Sequence, residues 1–242
     1  MKVLAIDTSS SVAGIAVIDE QGLIAEYMLN DGQTHSRKLV PMLKELFESL
    51  RMTSSDIDVF AAVTGPGSFT GIRIGVTTIK ALAYAVQKPV AGVTSLDALA
   101  GAVTALGDTI ICPMIDARNN QVYTALYIMR NGVPSNISGY LGIHVSELAK
   151  KLEEARSNVI FTGDGSALHR DFLKIEFGER CEFMPDFTLK QMALPAARIA
   201  LMKALNGETV SSYELSPFYL RPSQAEREFV KKQAGSMNND GK

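Results

Sequence analysis

The sequence predicts an α/β protein built of two related lobes. Strand-like and helix-like apolar periods alternate along the chain. A strand–turn–strand pattern at residues 2–23 also recurs at residues 109–133. In both copies a short apolar run ends in Ile-Asp, a polar turn follows, and a second strand closes on a glycine turn. Ile6 falls on Ile115 and Asp7 on Asp116, an offset of 109.

The elements follow in order. VLAI ends at Asp7, TSSS turns the chain, VAGIAVIDEQG alternates as a half-buried strand, and LIAEYML gives a third. From Ser36 to Leu50, Leu39, Leu43, Leu46, Phe47 and Leu50 recur at helical spacing. Pro41 is tolerable there if it falls in the first turns. VFAAVT (59–64) is a buried strand, a glycine loop follows, and Gly71–Val86 reads as a second helix. PVAGV (89–93) is a short strand before a helix from about Ser95. The second lobe continues with a helix at Ser146–Ala155, a strand NVIFTG (158–163) and helices near 166–177 and 193–205. The expected division is one lobe over 1–106 and a second over 107–221, with a mobile tail at 222–242 where apolar content is lost.

At 242 residues, with 46% hydrophobic and 21% charged residues, the chain has the composition of an ordinary globular protein. A net charge of −2 argues against tight nucleic-acid binding through bulk electrostatics, which needs clustered Lys and Arg. Cys112 and Cys181 stand 69 positions apart without CxxC spacing, so neither a disulfide scaffold nor a zinc ribbon is indicated. The four-residue apolar run near the start is too short for a signal-peptide core. No run approaches eighteen apolar residues. The expectation is a soluble, cytoplasmic protein with no membrane association.

The turn Asp7-Thr8-Ser9-Ser10 carries two readings. Its hydroxyls and N–H groups suit a phosphate, with Asp7 beside a metal or water; equally, Asp and Ser satisfy local backbone groups in an ordinary hairpin turn. The loop Thr64-Gly65-Pro66-Gly67-Ser68-Phe69-Thr70-Gly71 reads GxGxxxG, one residue longer than the dinucleotide fingerprint. It lacks the Gly-Lys-Ser/Thr ending of a P-loop, and the neighbours of Ser68 do not make GxSxG. Either its helix N-terminus favours an anion, or Gly71 and Gly75 serve close helix packing. His35, His144 and His169 are dispersed without HxxxH or HExxH spacing, so no metal site is expected. Asp164, between glycines after a strand, suits either a nucleotide-facing turn or a helix N-cap.

Taken together, IDTSSSVAGIAVID, THSRKLVPML, VTGPGSFTGIRIGVTTIKALAYAVQKPVAGVTSLDALA and PFYLR resemble the TsaB (YeaZ) family of tRNA threonylcarbamoyladenosine biosynthesis subunits, paralogues of the TsaD/glycoprotease-like family. The likeness covers residues 1–100 with specific motifs and returns at 217–221. It implies an actin-like/sugar-kinase/Hsp70 ATPase (ASKHA) fold with two βββαβαβα lobes. It implies a non-catalytic subunit that binds and activates metal-bearing TsaD in forming the threonylcarbamoyl group on N6 of adenosine 37, in tRNAs reading codons that begin with A. The implied partners are a TsaD-like paralogue in a heterodimer and a TsaE-like ATPase, with tRNA met indirectly and room for a homodimer when alone. No cofactor is required, although ATP or ADP would be accommodated at the partner interface. In the catalytic paralogue a His-x-x-x-His segment holds the metal; here the aligned positions carry Ser95 and Leu99, which cannot replace imidazoles. Where the first lobe has Thr8-Ser9-Ser10, the second has Ala117-Arg118-Asn119-Asn120, so only one hairpin keeps small hydroxyls.

The family's partner helices map to 36–50 and 71–86, with His35, Leu39, Leu43, Gly71, Ile72, Arg73, Ile74, Gly75, Val76 and Ile79 as interface candidates. On that reading Gly75→Glu weakens partner binding and leaves the fold intact. The glycine loop then serves packing and partner recognition before phosphate. The alternative is an autonomous actin-like ATPase or phosphotransferase using Asp7 near magnesium. A protease reading has no local motif behind it: no HExxH, no GxSxG, no Ser-His or Cys-His pairing.

Overall fold

The computed structural model describes residues 1–105, 109–185 and 192–221. The expected boundary at 106 and tail at 222–242 lie outside the described residues.

The first lobe runs β1 (Val3–Asp7), β2 (Ala13–Asp19), β3 (Gly22–Leu29), α1 (His35–Leu50), β4 (Val59–Val63), α2 (Phe69–Val86), β5 (Val90–Val93) and α3 (Ser95–Gly101). Its sheet has the order β3-β2-β1-β4-β5. β1 pairs antiparallel with β2 and parallel with β4, which is the arrangement a hairpin followed by helical crossovers produces. Along β1 the side chains alternate: Leu4 and Ile6 enter the layer under α1 and α2, while Val3 and Ala5 enter the opposite layer. Helix starts are set by Ser68, whose hydroxyl accepts from the Gly71 N–H at 3.2 Å, and by Thr94, which accepts from the Asp97 N–H at 3.0 Å. Arg51 in a left-handed conformation closes α1. Pro41 sits in the second turn of α1 on the exposed side, where the lost N–H is that of an already wetted backbone.

The second lobe repeats the plan with β6 (Ile110–Asp116), β7 (Gln121–Thr124), β8 (Tyr127–Arg130), β9 (Val133–Asn136), β10 (Leu141–His144), α4 (Val145–Ala155), β11 (Val159–Thr162), α5 (Asp164–Leu168), α6 (Arg170–Phe177), β12 (Cys181–Phe183) and α7 (Ala193–Leu205). Here the strand expected to follow the turn breaks at Ala125–Leu126. Its halves β7 and β8 both pair with β6, while β10 adds to one half and β9 to the other. The expected 166–177 helix likewise breaks into α5 and α6 at His169, whose backbone leaves the helical region.

The two lobes exchange helices across the expected division. α7 lies not on its own lobe but across the first sheet, where Ala193, Ala196, Ala197 and Ala200 meet Ala5, Ala16, Ala61 and Ala91. Methyl-sized side chains on both surfaces let helix and sheet approach closely. α3 does the reverse, placing Leu96 and Ala100 against Ile111, Ala125 and Tyr127 of the second lobe. Residues 209–221 also return to the first lobe: Val210 exchanges backbone hydrogen bonds with Val90, and Leu215 is buried in the layer under α2. Local apolar periodicity marks a helix but does not say which sheet it covers.

Candidate functional site

The turn after β1 is clamped rather than open. Asp7, Thr8 and Ser9 are buried, and only Ser10 is partly accessible. The Ser9 N–H donates to Asp7 Oδ1 at 2.8 Å, and Thr8 Oγ1 donates to the Gly71 carbonyl at 2.7 Å. The Ser68 N–H donates to the Ser9 carbonyl at 2.8 Å, and His35 Nε2 lies 2.8 Å from the Ser10 carbonyl. Burial pushes the Asp7 carboxyl up to about 6, against the opposing pull of the Ser9 backbone and hydroxyl and the nearby His35.

The glycines explain this closeness. A Cβ on Gly71 would stand 1.9 Å from the Thr8 carbonyl oxygen, one on Gly67 2.4 Å from the Ser9 carbonyl oxygen, and one on Gly75 2.5 Å from Thr8 Oγ1. Three glycines therefore seat the loop and the first turns of α2 directly on the hairpin turn. The expected close packing of another helix on Gly71 and Gly75 is not what the glycines serve; they admit the turn after β1.

Between the lobes lies a cleft of about 330 Å³ lined by Ser9, Ser10, Ser11, Pro66, Gly67, Ser68, Leu99, Ile115, Asp116, Asp164 and Met192. Its charged lining is acidic. Asp116 Oδ1 accepts from the Arg118 N–H at 2.8 Å, and Asp164 Oδ1 accepts from the Asp116 N–H at 3.1 Å. Asp164 is the first residue of α5, whose N-cap is Gly163 without a side-chain cap bond, so the expected N-cap role is not realised; its carboxylate instead holds the end of β6. Arg118, Asn119 and Asn120 take left-handed conformations, which carry the chain through the exposed second turn.

These groups do not fit a nucleotide triphosphate of the kind the actin-like fold implies. The N–H groups of Ser9, Ser68 and Gly71 are already spent on Asp7, Ser9 and Ser68. The cleft lining contains no Lys or Arg to offset phosphate charge near Asp116 and Asp164. At the aligned metal-binding positions, Ser95 is buried and Leu99 forms an apolar part of the cleft wall. Among the described residues no group of three His, Cys, Asp or Glu side chains converges on a metal-sized site.

The candidate partner helices also need sorting. Leu39, Leu43, Gly71, Ile72, Gly75, Val76 and Ile79 are buried in their own lobe and present no surface to a partner. The apolar stripe at i, i+3 and i+4 is the stripe that dresses the sheet, and an interface must lie at the opposite phase. Of the expected set, His35 and Ile74 are half-exposed and Arg73 is exposed, its Nε donating to the Tyr219 hydroxyl at 2.9 Å. The outward positions of the two helices are Val40, 63% exposed on α1, and Thr77, Ala81 and Tyr84 on α2. The same helical period contains them, read half a turn out of phase.

Comparison with known proteins agrees with this architecture. The family model for TsaD, tRNA N6-adenosine threonylcarbamoyltransferase, matches residues 23–229. The Bacillus subtilis (strain 168) tRNA threonylcarbamoyladenosine biosynthesis protein TsaB is 33% identical over 233 residues, which cover 96% of this chain and 100% of that one. A Pseudomonas aeruginosa crystal structure, described as similar to the peptidase YeaZ, has a TM-score of 0.79 at 26% identity and covers 91% of this chain and 99% of that one. Component A of the Acidaminococcus fermentans (R)-2-hydroxyglutaryl-CoA dehydratase shares the fold alone, with a TM-score of 0.50 at 14% identity over 85% of this chain and 99% of that one.

Proposed function

The chain belongs to the TsaB family, within the wider TsaD group and with its two-lobed actin-like fold, and from that premise we propose that it is a non-catalytic subunit of the tRNA threonylcarbamoyladenosine machinery. Its role on this reading is to bind and activate a TsaD-like paralogue, which supplies the metal and the chemistry on N6 of adenosine 37. The observation that carries the non-catalytic role is the clamped first turn: the Thr8 hydroxyl is held by the Gly71 carbonyl, the Ser9 N–H is held by Asp7, and Leu99 lines the cleft beside them. ATP or ADP at the heterodimer interface would need its cations from the partner, and a TsaE-like ATPase would complete the complex. A net charge of −2 suits a subunit that meets tRNA only as part of that assembly. The place of action is the cytoplasm; among the described residues no helix is long and apolar enough to cross a membrane.

The docking surface is the outward face of α1 and α2, with Val40, Ile74, Thr77 and Ala81 offering small and apolar contacts in a helix–helix geometry. The same face offers a homodimer contact when the partner is absent. The test is binding of the full chain to a purified TsaD-like paralogue. Val40→Glu combined with Ala81→Arg should weaken binding about 30-fold or more, the scale of roughly 2 kcal/mol for an interface hot spot, with thermal unfolding unchanged. Full affinity in the folded variant would remove this face from the interface. Robust ATP turnover by the chain alone, abolished in Asp7→Ala, would replace the subunit reading with an autonomous enzyme.

A further inference from the structure

Outside the cleft, a hydrogen-bonded junction joins the two lobes through residues with no assigned role. Asp97, in α3 of the first lobe, receives the Tyr127 hydroxyl at 2.7 Å on Oδ1 and the Tyr140 hydroxyl at 2.9 Å on Oδ2, both from the second lobe. Tyr127 is wholly buried among Leu96, Ala100, Val103, Ile111 and Ala125. Asp97 is half-buried, so separating the lobes would break its two charge-assisted hydrogen bonds and uncover the buried Tyr127 ring.

A second connection runs along the outside. Residues 209–221 begin on the first lobe, where Lys80 Nζ donates to the Leu215 carbonyl at 2.8 Å and the Phe218 N–H donates to the Thr64 carbonyl at 2.8 Å. Tyr219 stacks on Phe69 with ring centroids 4.7 Å apart. The segment then reaches the other lobe. The Phe218 ring packs 5.1 Å from Tyr140, and Arg221 donates to the Gln121 side chain and to the Gly142 carbonyl. Tyr140 therefore belongs to both connections. Burial is the main reason its hydroxyl is pushed up to about 12, so it stays protonated and donating across the physiological range.

We propose that Asp97 and residues 209–221 act as a latch and strap that hold the two lobes in one relative orientation, making this chain a fixed frame rather than a hinged one. The inference does not rest on the partner reading, since every contact in it lies within one chain. Two charge-assisted hydrogen bonds at Asp97 alone disfavour an opened state by about a hundredfold or more. The exchanged helices α3 and α7 add packing that an opening motion would also have to break.

The experiment is an interlobe distance measurement on the full chain. Spin labels are placed at Glu45→Cys on α1 and Glu154→Cys on α4, both exposed, in a Cys181→Ser background that leaves buried Cys112 in place. Labelled protein is diluted with unlabelled protein to suppress distances between molecules. The expected result is one narrow distance, unmoved by ATP with magnesium. In Tyr127→Phe/Tyr140→Phe, which keeps the rings and removes only the hydroxyls, the distribution should broaden at least twofold. Arg221→Ala, at a partly exposed site that leaves the core whole, should broaden it independently. Two or more distances in the intact chain, or folded variants with the intact distribution, would overturn the proposal.

Discussion

The two hairpin turns descend from one pattern and meet opposite fates. Asp7-Thr8-Ser9 is buried under the glycine loop, whereas Arg118, Asn119 and Asn120 remain exposed. Both lobes press a glycine-rich helix start onto the end of their first strand. In the first lobe Gly67, Gly71 and Gly75 meet Ser9 and Thr8, in the turn itself. In the second, Gly163 and Gly165 meet Met114 and Asp116, before the turn begins. A shift of two to three residues in the contact decides whether a turn becomes a packing anchor or stays free. A shared repeat therefore sets the strand plan without setting where a ligand can sit.

The comparison breaks most sharply at the glycines. Gly71→Ala forces a Cβ to 1.9 Å from a carbonyl oxygen and should destabilise the first lobe by about 3 kcal/mol or more. Gly165→Ala meets Met114 and Asp116 backbone atoms at 3.0–3.2 Å and should cost about 1 kcal/mol. Urea denaturation of both variants gives the ranking; equal losses would show that the two turns are packed alike. Gly75→Glu, which the sequence alone placed on a partner face, belongs with the first class. Its side chain would start 2.5 Å from Thr8 Oγ1, so loss of fold is expected before loss of binding.

Charge gives a smaller, pH-dependent contrast. Asp7 has a carboxyl raised from 3.8 to about 6 in the folded chain, so the native state holds its proton more tightly than the unfolded state does. Its contribution to stability is complete below about pH 4 and is lost as pH rises through about 6, at most about 3 kcal/mol in all. Asp7→Asn keeps an acceptor for the Ser9 N–H and removes the charge, so it should flatten stability between pH 4 and 7 and raise it at pH 7. A pH profile parallel to that of the unaltered chain would show that Asp7 is solvated. At the exposed turn, Asn119→Gly matches a backbone already at a φ of 54° and should change stability by no more than about 0.5 kcal/mol. A larger loss would mean that the Asn119 side chain holds the second turn together.

Much of this molecule was legible in its residues. The unbroken apolar runs VLAI and VFAAV marked the central strands, the Leu39–Leu43–Leu46 stripe marked α1, and the repeated Ile-Asp marked the equivalent strand ends of two lobes. Gly71 and Gly75 signalled a close approach, but of another helix; the structure seats them, with Gly67, on the Thr8–Ser9 turn instead. Periodicity also showed which helix positions are apolar, but not that those positions are consumed by the chain's own sheet. Tertiary structure alone decided that α3 and α7 cover each other's lobes, because an alanine-rich or leucine-rich stripe fits any sheet of matching relief. It likewise brought Asp97 to Tyr127 and Tyr140, which lie 30 and 43 residues away along the chain. Local sequence sets backbone period and space near the main chain, whereas partners this distant are chosen only when whole layers dock.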